Sequence, residues 1–112
     1  MSWGPFDGGA TVGQLGSEGG IIVRDDENEL GARITLERDC GSAPVTITCG
    51  IYGWFFHTRY FGTEAEGAAE FARMQEGLAA TLTSIPYVDD PEADGQCVGV
   101  SEAIVGFVAQ FP

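Results

Sequence analysis

Residues 32–39, "ARITLERD", place apolar and polar side chains at strictly alternating positions, the period of a strand with one buried face. "GIIVR" (20–24) is predicted as the strand before it, with the polar run "DDENELG" (25–31) as the turn between them. "CGSAP" (40–44) has the Gly, Ser and Pro of a second turn. "VTITC" (45–49) alternates again, and "WFFHTRYF" (54–61) continues in strong strand formers. Gly50 and Gly53 bracket a third turn or bulge between these last two strands, the alternative being a single long bent strand.

The period changes at Gly62. Thr63 and Glu66 have capping-box spacing, and Ala68, Phe71, Ala72, Met74, Leu78 and Leu82 recur near one face before Pro86. This predicts a long amphipathic helix from about Thr63 to Ser84. A polar linker (88–96) follows, in which Asp90 before Pro91 is placed to cap a short helical turn. Ser101 then caps a short final helix with an apolar side of Ile104, Val105, Val108 and Phe111. Strands followed by helices imply an α+β fold: a four-stranded antiparallel meander, then a long and a short helix packed on one sheet face. The chain of 112 residues has the length of a single globular domain (1–112) with a Gly-rich N-terminal arm (1–19), whose Trp3 and Phe6 are expected to fold back onto the body.

Residues 49–62, "CGIYGWFFHTRYFG", hold half of the chain's aromatic residues and its only histidine, so which face they occupy matters most. Strand alternation separates Trp54, Phe56, Thr58 and Tyr60 from Phe55, His57, Arg59 and Phe61. The first set carries no charge and is assigned to the core with Ile34, Leu36, Val45, Ile47 and Cys49. The second set is assigned to an open face, beside Arg24 and Arg33 if the first strand keeps the same parity. Phe55, His57, Arg59, Phe61, Arg24 and Arg33 are therefore the candidate binding residues, because aromatic rings beside arginines on an open sheet suit a contact surface.

Charge narrows the partners. Seventeen acidic residues against five basic ones give a formal net charge of -12, which repels nucleic acid and anionic membranes. No apolar run approaches the ~20 residues of a membrane helix, and residues 1–20 lack the pattern of a signal peptide. A soluble cytoplasmic protein is expected. Three cysteines without CxxC spacing indicate neither a disulfide framework nor a zinc site, and no cofactor is expected. "DPEADG" (90–95) resembles the start of a calcium loop, but Ser101 stands where a bidentate Glu is required. "GATVGQLG" (9–16) lacks the Lys of a phosphate-binding loop.

His57 is the only imidazole, and neither a nucleophile nor an orienting carboxylate has a spacing that pairs with it. The expectation is a small acidic binding or interaction protein without catalysis, working through a protein partner or self-association, including a homodimer. The alternative is a small-ligand-binding protein or enzyme with an anion pocket near His57 and Arg59.

Overall fold

The computed structural model describes residues 3–41, 43–83 and 93–112, with the side chains of 93–101 excepted. Five strands, β1 (Trp3–Pro5), β2 (Ile21–Asn28), β3 (Ala32–Arg38), β4 (Val45–Ile51) and β5 (Phe55–Phe61), form one antiparallel sheet in the order β1-β2-β3-β4-β5. Two helices, α1 (Glu64–Leu82) and α2 (Ala93–Gln110), complete an α+β fold.

The expected strand count was four. The fifth is β1, inside the Gly-rich arm, where Trp3 pairs with Asn28 and packs against the core. β2 also runs four residues further than expected, so Asp25 and Asp26 lie in a strand and not in a turn. Both are buried, and each has at least one partner from another segment. Asp25 accepts from Arg33, Thr35 and Thr11, whereas Asp26 accepts from Arg24 and from Gln75 of α1. Buried carboxylates persist in a sheet only when paired in this way. The turn proper is closed by Asn28, whose Oδ1 accepts from the backbone N–H groups of Leu30 and Ala32.

α1 follows its sequence signals. The Thr63 hydroxyl accepts from the Glu66 backbone N–H, and Phe71, Met74, Leu78 and Leu82 are buried against the sheet. Ala68 and Ala72 are exposed, since the buried stripe runs through Gly67 and Thr81 instead. The expected end signal, Pro86, lies outside the described residues, as do 84–92 of the linker and its Asp90 and Pro91. α2 is not short. It begins at Ala93, so Ser101 is internal to it, and Phe107 of the helix and Phe111 just beyond it are buried in the same core as α1. Val105 and Val108, expected on that buried side, are exposed.

Candidate functional face of the sheet

The core side of the sheet is fixed by β3 and β4. Ala32, Ile34 and Leu36 alternate with Val45, Ile47, Cys49 and Ile51, and all seven are buried beneath α1. Cross-strand register then decides β5. Val45, Ile47, Cys49 and Ile51 face Phe61, Arg59, His57 and Phe55, so these four lie on the helix side.

The expected faces of β5 are therefore exchanged. The cause is the turn. The connection consists of Tyr52, Gly53 and Trp54, closed by the Trp54 backbone N–H donating to the Ile51 carbonyl at 3.0 Å, with Gly53 at φ +82°. Positive φ at that turn position favours glycine. A three-residue connection pairs residues of equal parity, whereas a turn centred on Ile51 and Tyr52 would have inverted them.

Arg24 is moved by a second irregularity. The register slips between Ile22 and Arg24, leaving Ile22 opposite Glu37 on the open face but Arg24 opposite Leu36 on the helix side. Its guanidinium lies 4.5 Å from the Phe71 ring centroid and bonds Asp26. Of the six candidate residues, only Arg33 remains on the open face, so the expected cluster is divided. Phe55 and Phe61 pack against the core. His57 Nε2 bonds the Phe111 carbonyl oxygen, and Arg59 donates through Nε to the Pro112 oxygen and through Nη1 to Glu70. Arg59 and Arg73 also hold Glu70 below its ordinary carboxylate pKa, the Arg73 hydrogen bond leading and burial opposing.

Arg59→Glu, tolerable on an open strand, is instead expected to set a carboxylate against Glu70 and release the chain end. A loss of about 1–2 kcal/mol in urea unfolding is expected. An unchanged midpoint would show that the Glu70 and Pro112 contacts contribute nothing.

Cys49 faces His57 across β4 and β5, but no nucleophile results. Burial pushes the Cys49 thiol up to about 12, with only partial opposition from Arg59, so it stays protonated at neutral pH. Among the described residues no cluster of His, Cys, Asp and Glu has the arrangement of a metal site.

The open face divides into a covered and a bare half. The arm lies over the β2 and β3 half, fastened at two carboxylates. Phe6 stacks on Arg33, 3.5 Å from guanidinium carbon to ring centroid, while Arg33 and Thr11 both donate to Asp25. Glu37, fully buried, accepts from the backbone N–H groups of Glu18 and Gly20. A Cβ on Gly16 would stand 2.3 Å from the Glu37 carboxyl carbon, so this close approach requires glycine there.

The β4 and β5 half is bare apart from Thr46, which is buried. Tyr52, Trp54, Phe56 and Tyr60 expose 53%, 37%, 74% and 58% of their surfaces, respectively. Phe56 crosses Gly50, whose missing side chain leaves room for the ring: a Cβ there would meet Phe56 Cδ1 at 2.7 Å. Between this cluster and the arm lies a cleft of about 480 Å³, floored by Thr35, Thr48 and Gly50 and walled by Leu15 and Phe56. Most of its polar side chains are already engaged: Thr11, Thr35 and Arg33 with Asp25, Thr48 with Thr58, and Gln14 with the Ala10 carbonyl. Accessible surface in the cleft is therefore mainly apolar, led by Leu15 at 79% exposure.

Sequence reasoning missed this cluster because it assigned Trp54, Phe56 and Tyr60 to the core. The available signal was the single glycine at position 53, which sets the turn and with it the parity. Comparison with protein-family models, curated proteins and solved structures returns no match. Among the described residues, no helix is long and apolar enough to cross a membrane.

Proposed function

We propose that this chain is a non-catalytic binding protein that takes a protein partner on the bare half of its open sheet face. The observation carrying the reading is the group of four exposed aromatic side chains on that half, while the opposite face has a complete core of its own. Large rings held in place by the backbone supply contact area at little conformational cost, as in the centres of protein interfaces. The cleft beside them, with most of its polar side chains engaged internally, suits an apolar side chain of the partner better than a charged small molecule. An anion pocket at His57 and Arg59 has less support, because both side chains are occupied by the chain end. A cytoplasmic location belongs to the same reading, and the free thiols of Cys40 and Cys49 suit a reducing compartment.

Phe56→Ala tests it. The substitution should change folding stability by no more than about 0.5 kcal/mol, because the ring is mostly outside the core. It should weaken partner binding by about 1–3 kcal/mol. Native mass spectrometry of the chain recovered from its own cells measures the second effect. Wild type should carry mass above its own 11.8 kDa, and the variant should lose it. Identical spectra for the two chains would remove the reading.

A further inference from the structure

A binding face needs a partner, and the edge of the sheet supplies one. The two edges are unlike. β1 is three residues long and ends in Pro5, features that keep an edge from pairing. β5 has seven residues, "FFHTRYF", with no Pro, no Lys and no acidic residue, in a chain with 17 acidic residues. Its one permanent charge, Arg59, is neutralised by Glu70 of the same chain. Among the described residues only β4 pairs with it.

Resting on the binding reading above, we propose that β5 pairs antiparallel with β5 of a second copy, so that two sheets join edge to edge around a twofold axis at Thr58. Charge selects this occupant. A basic partner is drawn to carboxylate-rich surface, whereas two copies each at -12 repel least where the strand itself carries no acidic residue. Register selects the axis. Centring on Thr58 pairs all seven residues, and it sets Phe56 opposite Tyr60 of the second copy, and Tyr60 opposite that copy's Phe56. The two most exposed rings of β5 thus form two cross-strand aromatic pairs, the kind of pair that stabilises sheets. Both partners of each pair come from the same surface, as a twofold interface requires. Phe56 is already positioned over Gly50, so pairing orders little that is mobile.

Sedimentation equilibrium of the purified chain at about 100 µM tests the pairing in a range where modest interfaces are populated. The expected mass is twice 11.8 kDa. Association should strengthen in about 1 M NaCl, because salt screens the repulsion between two acidic chains. A contact with a basic partner would weaken instead.

Phe56→Glu alone and Tyr60→Arg alone should each weaken dimerisation by at least about tenfold. An equimolar mixture of the two variants should recover the dimer, since the new Glu faces the new Arg while the second aromatic pair stays intact. Circular dichroism checks the fold of each variant. Should either be unfolded, Phe56→Lys with Tyr60→Glu makes the same comparison with charges reversed.

The pairing is overturned by a wild type that stays at 11.8 kDa at both salt concentrations, or by a mixture no tighter than its components. A monomeric wild type that holds a different protein through Phe56 overturns the self-pairing alone. A monomer that holds nothing, in isolation or from its own cells, overturns the binding reading as well.

Discussion

Phe71→Ala is expected to destabilise the fold by about 3–5 kcal/mol, the range for removing a fully buried aromatic ring. The ring lies on the buried stripe of α1 between Gly67 and Met74 and is almost wholly enclosed by the core of β3 and β4. Two effects add. The lost ring leaves a space that neighbouring Met74 and Leu78, themselves fully buried, have little freedom to fill. Arg24 also loses the aromatic surface beneath its guanidinium and retains only Asp26. Since a domain of this size has a total stability of roughly 5–15 kcal/mol, the variant should unfold at about 2 M less urea than wild type. The contrast with Phe56→Ala is informative, because both substitutions remove the same ring and only one of the rings is buried. Equal midpoints for Phe71→Ala and wild type would mean that α1 is rotated away from the sheet.

The phase of α1 was readable in the sequence because its signals are local. Thr63 and Glu66 are three residues apart, and Phe71, Met74 and Leu78 lie within successive turns, so no other segment is needed to interpret them. Strand existence was readable for β3 and β4 on the same grounds, since their alternation is intrinsic to each segment.

What failed depended on partners distant in the chain. Asp25 and Asp26 look like turn residues until Arg33, Thr35, Thr11 and Gln75 surround them, and all of these lie at least seven residues from either aspartate. The face of β5 depended on how many residues form the preceding turn, because lengthening or shortening that turn by one residue exchanges every inward and outward side chain. Gly50 and Gly53 both invite the turn. Only Gly53 serves it, while Gly50 lies within β4 as the floor beneath Phe56. The candidate site was lost with that parity, since Phe56 and Tyr60 had been assigned to the core. The early residues of α2 carry Gly95 and Gly99, weak helix formers that hid eight residues of helix ahead of Ser101.

Asp25→Ala is expected to cost about 2–4 kcal/mol and to release the N-terminal arm from the sheet. The carboxylate is buried and accepts four hydrogen bonds, two from Arg33 and one each from Thr11 and Thr35. Its removal leaves the Arg33 guanidinium under Phe6 without a counter-charge, and it frees Thr11 from the sheet. Arg33 is about one-third exposed, so water offsets part of the loss and places the expected cost below that of a fully enclosed pair. Amide hydrogen exchange across residues 10–20 should accelerate, and the cleft should widen as Leu15 loses its support.

Acidity gives an independent check with a defined sign. Burial alone would raise the Asp25 pKa, but the bonds from Arg33, Thr11 and Thr35 outweigh it and hold the pKa below its ordinary 3.8. A carboxylate with a lowered native pKa adds stability that is complete above 3.8 and disappears as the pH falls from there through the native value. Glu70, also lowered, acts in the same direction and belongs to both chains being compared. The difference in unfolding free energy between wild type and Asp25→Asn therefore isolates Asp25. That difference should be constant near neutrality and shrink only below pH 3.8. A difference that is already shrinking at pH 5–6 would assign the loss to a group other than this carboxylate, and a difference that persists undiminished in strong acid would mean that its charge does not hold the arm in place.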